Sequence, residues 1–106
     1  MVQKLDNLEF FSVLENSDSP MVVDFWASWC KPCKEMENIF LQVSEELNQK
    51  IDFYKVNVEH NQSIASRYHV SSIPAFLVFK NGEVIDKFTG KKSKEELIEN
   101  IEKHIY

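Results

Sequence analysis

The sequence predicts an α/β fold, a central mixed β-sheet with helices on both faces. Two observations carry this. Short apolar segments alternate with amphipathic helical ones along most of the chain, the pattern that builds parallel strands with crossover helices. The alternation then gives way to two adjacent strand-like runs joined by Asn81-Gly82, an antiparallel hairpin signal. The order reads (β)αβαβαββα. With 106 residues and no repeat, low-complexity tract or linker, the chain is expected to form one domain over 1–106, enough for a single hydrophobic core.

Taken in order, Asp6 and Glu9 have capping-box spacing ahead of Phe10, Val13 and Leu14, so a short first helix is expected there. The run NSDSP ends it. MVVDFW (21–26) then reads as a buried strand of apolar, β-branched and aromatic residues, interrupted by Asp24. From 30 to about 48 the pattern is helical, with Met36, Ile39, Phe40, Val43 and Leu47 at steps of three and four. IDFYKVNV (51–58) alternates like a strand, and Asn61 is placed to cap a short helix through Ile64, Ala65 and Tyr68. The hairpin occupies 75–88. Ser93 and Glu96 form a second capping box, opening a last helix that buries Leu97, Ile98, Ile101 and Ile105.

Composition narrows the function classes. The formal charge of −5 argues against a general nucleic-acid surface, which needs clustered Lys and Arg. No apolar stretch is long enough to span a membrane. The start, MVQKLDNLEF, has no apolar core of a signal peptide, so a cytoplasmic location is expected. In a reducing compartment, closely paired cysteines more often bind metal or do redox chemistry than staple a fold.

Cys30 and Cys33 are the two cysteines, in WASWCKPCKEM. A structural zinc site needs four ligands, and His60, His69 and His104 are distant and irregularly spaced. A structural disulfide would close a very short loop, where the gain in stability is smallest. The redox reading explains more. The pair lies between a strand and a helix start, where unpaired N–H groups and the helix dipole stabilise a thiolate. Pro32 suits the first helical turn. Cys30 is then expected to be the exposed nucleophile and Cys33, a turn further in, the resolving thiol.

The segments VVDFWASWCKPCK and SSIPAFLVFKNGE, with FTG before the last helix, together resemble the thioredoxin family from the first helix to the C-terminus. The resemblance implies a thioredoxin fold and a thiol–disulfide oxidoreductase that reduces substrate-protein disulfides. Asp24 matches the family's buried acid, the proton acceptor for Cys33. Lys55 matches the lysine near that acid, and is otherwise an ordinary solvated strand lysine. Ile73-Pro74 matches the cis-proline loop, whose backbone pairs with extended substrate. Trp29 matches the exposed aromatic beside the nucleophile, Trp26 the buried one supporting the site, and Gly90 the glycine that keeps the contact surface low.

The resemblance further implies no bound cofactor and no metal, with electrons from NADPH through a flavin-containing thioredoxin reductase. A monomer is expected, with no nucleic-acid or membrane partner. Departures from the family pattern are Lys31 between the cysteines in place of glycine, Asn38 in place of a helix-kinking proline, His69 and Ser72 in place of glycines, and Ala75 after the proline. Lys31 and Pro32 are the residues placed to tune the redox potential. An oxidase or isomerase would need an oxidising compartment, and a redox-inactive docking module has no reason to keep both cysteines, Asp24 and Ile73-Pro74.

Overall fold

A computed structural model describes residues 2–47 and 49–105. The elements are β1 (Val2–Lys4), α1 (Asn7–Asn16), β2 (Met21–Trp26), α2 (Lys31–Leu47), β3 (Asp52–Asn57), α3 (Gln62–Arg67), β4 (Ala75–Lys80), β5 (Glu83–Thr89) and α4 (Lys94–Glu102). They follow the expected order; the expected end of the second helix, near Asn48, lies outside the described residues. The strands form one sheet in the order β1-β3-β2-β4-β5. The first three are mutually parallel, whereas β4 runs antiparallel to both β2 and β5.

Strand alternation sorts side chains between two apolar layers. Val22, Phe53, Phe76 and Val78 pack with Met36, Phe40 and Val43 of α2 and Leu97 and Ile101 of α4. Met21, Val23, Phe25, Val56, Leu77 and Phe79 pack on the other face with Phe10 of α1 and Ile64 of α3. Both faces of β2 are thus covered, which is why its sequence is a near-continuous apolar run. Asp24 shares its face with Val22, so it points toward the α2 layer.

The turn and one capping box follow the sequence. Asn81 and Gly82 adopt φ of 54° and 80°, the left-handed pair a two-residue hairpin requires. Ser93 Oγ accepts from the Glu96 N–H at 3.1 Å, and Glu96 Oε1 accepts from the Ser93 N–H at 3.0 Å. The other two expected caps differ. Neither Asp6 nor Asn61 caps its own helix through its side chain. Instead Asn61, 1% exposed, reaches across to α1. Its Oδ1 accepts the Asn7 N–H at 2.8 Å, and its Nδ2 donates to Asp6 Oδ1 at 3.0 Å and to the Asn57 carbonyl at 2.9 Å. A long-range network has displaced two local ones, because burial demands that all of the Asn61 amide be satisfied.

Candidate functional site

The loop leaving β2 delivers Cys30 to the start of α2, and Cys33 follows one turn inside the helix. The two are joined by a disulfide, with their Cα atoms 5.2 Å apart. The Cys33 N–H, one of the donors a helix start leaves free, points at Cys30 Sγ at 3.2 Å. Pro32 is the second residue of α2, where no intrahelical N–H bond is needed, as its place in the sequence suggested.

One expectation is corrected. Cys30 is no more exposed than Cys33, each at 4%. Both sulfur-bearing residues pack with Ala27 against Trp26, Val58 and Ile73, and the disulfide draws Cys30 into that cluster. Exposure belongs instead to Trp29, at 71%. Trp26, expected to be buried, is half-buried, although its Nε1 is covered and without a hydrogen-bond partner.

Opposite the cysteines, the Ile73-Pro74 peptide bond is cis, and the Ile73 carbonyl oxygen lies 3.9 Å from Cys30 Sγ. Gly90 donates its N–H to the Pro74 carbonyl at 2.9 Å and tethers the end of β5 to this loop. Its φ of 87° is the reason for glycine there, since a Cβ would meet no atom within 4 Å. Steric room is therefore not what selects the residue.

Asp24 is 5% exposed, and its Oδ1 has no hydrogen-bond partner. With Cys33, Lys34, Glu37 and Lys55 it lines a cavity of about 340 Å³. Burial pushes its carboxyl up from an ordinary 3.8 to about 7, the Lys55 charge opposing this and the Glu37 charge adding to it. Lys55 is the Cα partner of Asp24 on β3, and its Nζ sits 5.6 Å from the centroid of the Trp26 ring. Lys31 is exposed at the first position of α2. Among the described residues no group of three or more His, Cys, Asp or Glu is placed to hold a metal ion.

Sequence reasoning missed Glu59. Its carboxylate accepts two hydrogen bonds from Ser28, the residue before Trp29. No local pattern links residues 31 apart in sequence, so only the loop's need for an anchor could have pointed there.

A disulfide of near-adjacent cysteines at a helix start, facing a cis-proline loop at the ends of the interior strands β2 and β4, defines a paired-cysteine redox site on a mixed α/β sheet. A family model described as Thioredoxin matches residues 1–103, and the chain belongs to that family. It is 43% identical over 93 residues to "Thioredoxin Y, chloroplastic" of Oryza sativa subsp. japonica, covering 88% of this chain and 55% of that protein. It is 40% identical over 105 residues to "Thioredoxin" of Rickettsia typhi, covering 99% of this chain and 100% of that protein. The chain thus spans little more than half the length of its chloroplastic relatives and the whole of the bacterial one. The crystal structure of Malassezia sympodialis thioredoxin (Mala s 13) superposes with a TM-score of 0.90 at 34% identity, over 100% of this chain and 92% of that one.

Proposed function

We propose that the chain reduces disulfides in substrate proteins by cycling Cys30 and Cys33 between dithiol and disulfide. The Cys33 N–H aimed at Cys30 Sγ carries this reading, because the same donor that meets the disulfide sulfur stabilises a Cys30 thiolate. The thiolate attacks a substrate disulfide, forming a Cys30–substrate bond and expelling the other substrate sulfur as a thiolate. Cys33 then gives its proton to Asp24 and attacks Cys30 Sγ. That closes the Cys30–Cys33 disulfide and releases the second substrate sulfur, so two electrons have passed to the substrate.

Asp24 supports this role by sharing a cavity with Cys33 and by an acidity near neutrality, where a base both accepts and sheds a proton readily. Exposed Trp29 and the Ile73-Pro74 loop flank the sulfurs and form the docking rim, with Gly90 tethered behind them. The two sulfurs carry the electrons, so no resident cofactor is needed. Recharging would come from NADPH through a flavin-containing thioredoxin reductase, with the protein acting as a cytoplasmic monomer of one domain.

The test is insulin reduction with dithiothreitol, together with trapping from lysate. Cys33→Ser should accumulate mixed disulfides on Cys30, and Cys30→Ser should accumulate few. Equal trapping by both variants would refute the division of labour.

A further inference from the structure

Ser28, exposed in the segment between β2 and α2, is gripped by one carboxylate. The Ser28 N–H donates to Glu59 Oε1 at 2.6 Å, and the Ser28 hydroxyl donates to Glu59 Oε2 at 3.0 Å. Glu59 is itself fixed from behind. Its N–H donates to Asn57 Oδ1 at 2.8 Å, and the Asn57 carbonyl accepts from Asn61 Nδ2 at 2.9 Å. Asn57 and Asn61 are 6% and 1% exposed, and Asn61 also holds the start of α1. The backbone that carries Glu59 therefore stands on a buried polar base, while its solvent-facing carboxylate is oriented by the two bonds from Ser28. The two bonds from Ser28 also hold its carboxyl below the usual carboxylate range, as accepting two donors should.

We propose that Glu59 is a positioning residue for disulfide exchange: acting through Ser28, it sets the Trp29–Cys30 segment against the Ile73-Pro74 loop and speeds the attack of Cys30 on substrate. The inference rests on the reading of Cys30 as the attacking sulfur. Apart from the Glu59 bracket, the segment is held at Cys30, whose N–H donates to the Ala27 carbonyl and whose carbonyl accepts from the Lys34 N–H, each at 3.2 Å, so Ser28 and Trp29 depend most on Glu59. Attack on a disulfide needs the sulfur in line with the bond it breaks, so a looser segment lowers the fraction of productive encounters. Cys33 is held by the helix itself.

The experiment measures mixed-disulfide formation with insulin in the Cys33→Ser background, which stops after the first step. Adding Glu59→Ala should slow it about 3–10-fold. Ser28→Ala, which keeps the N–H bond, should slow it less. Glu59→Gln can still accept the Ser28 N–H and donate to the hydroxyl, and should recover most of the rate. Backbone amide relaxation should show new exchange at residues 28–30 in Glu59→Ala, with an unchanged denaturation midpoint. An unchanged attack rate in Glu59→Ala would overturn the proposal, as would a Gln variant no faster than Ala. If the Cys33→Ser parent forms no mixed disulfide at all, the assignment of Cys30 fails and this inference with it, a result distinct from a parent that reacts and a Glu59→Ala variant that keeps its rate.

Discussion

Asp24 and Lys55 are Cα partners on neighbouring parallel strands and share one face of the sheet, yet their charged ends do not meet. Lys55 Nζ lies over the Trp26 ring, and Asp24 Oδ1 is left buried without a hydrogen bond. The lysine therefore softens the cost of a buried carboxylate without cancelling it, and the Asp24 carboxyl settles near 7 instead of its ordinary 3.8. A closed ion pair would have fixed it as a permanent anion, unable to take a proton from a thiol near neutral pH.

That relationship predicts a pH-dependent cost in stability. Below the unfolded value both states hold the proton and Asp24 contributes nothing. Between about 4 and 7 the unfolded chain loses it while the folded chain keeps it, so stability falls as pH rises, and above 7 the loss is constant. The full rise corresponds to about 4 kcal/mol as an order of magnitude. Asp24→Asn should accordingly be more stable than wild type at pH 8 by a few kcal/mol, with the gain fading toward pH 4, as read from denaturant titrations at each pH. The same variant should slow resolution and flatten a rate profile that otherwise climbs through pH 7. A variant less stable than wild type at pH 8 would mean that Asp24 makes a net favourable pair with Lys55.

Asn61 should matter far more to folding than its place beside a short helix suggests. Asn61→Ala removes three hydrogen bonds at a site 1% exposed and leaves the Asn57 carbonyl and Asn7 N–H without those partners. Urea titration should show a loss of about 1–3 kcal/mol. Asn61→Asp keeps the acceptor for Asn7 but turns a carboxylate toward Asp6 Oδ1 and the Asn57 carbonyl, so at pH 7 it should be worse than alanine.

His69 occupies a position built for glycine. It ends α3 with φ of 56°, while the Val70 N–H donates to the Ala65 carbonyl at 2.8 Å. This is the geometry of a left-handed helix end. Its side chain is exposed, so little packing is lost on removal. His69→Gly should raise stability by about 0.5–1 kcal/mol, measured as an increase in Tm. His69→Val should lower it, because a branched Cβ suits that backbone least.

How much of this could be read beforehand depends on where each signal lies. β2 was legible because a strand covered on both faces must be apolar, and the hairpin because Asn81-Gly82 supplies both positive φ values. Ser93 and Glu96 were legible because their partners are three residues apart. The Asp6 and Asn61 caps looked equally good in sequence, but Asn61 lies 54 residues from Asn7 and tertiary contacts took its amide. The burial of Cys30 has no local signal for a related reason, since Ile73, which helps cover it, arrives from a distant loop. Asp24 was marked by its own anomaly in an apolar strand. Glu59 carried no such mark.

Lys31 separates charge from backbone in tuning the site. It is the exposed first residue of α2, immediately after Cys30. Part of its field is spent on Glu35, one turn on, whose carboxyl is held below the usual range chiefly by its 2.9 Å hydrogen bond to Lys91 and more weakly by Lys31. For an ammonium roughly 6 Å from a thiolate at an effective dielectric near 60, the attraction is about 0.9 kcal/mol. Salt screening leaves about 0.3–0.9 kcal/mol, so the charge should ease ionisation of the Cys30 thiol. The disulfide has no anion for the lysine to attract, so above the thiol pKa the charge favours the reduced form and raises the potential by about 6–20 mV. Lys31→Gly and Lys31→Gln should both raise the Cys30 pKa and make the protein more reducing, read by thiolate absorbance and glutathione equilibration, and both differences should shrink as salt rises. If Gln matches wild type and only Gly departs from it, the freedom of the backbone at the helix start is the cause, and the charge has no part in the chemistry.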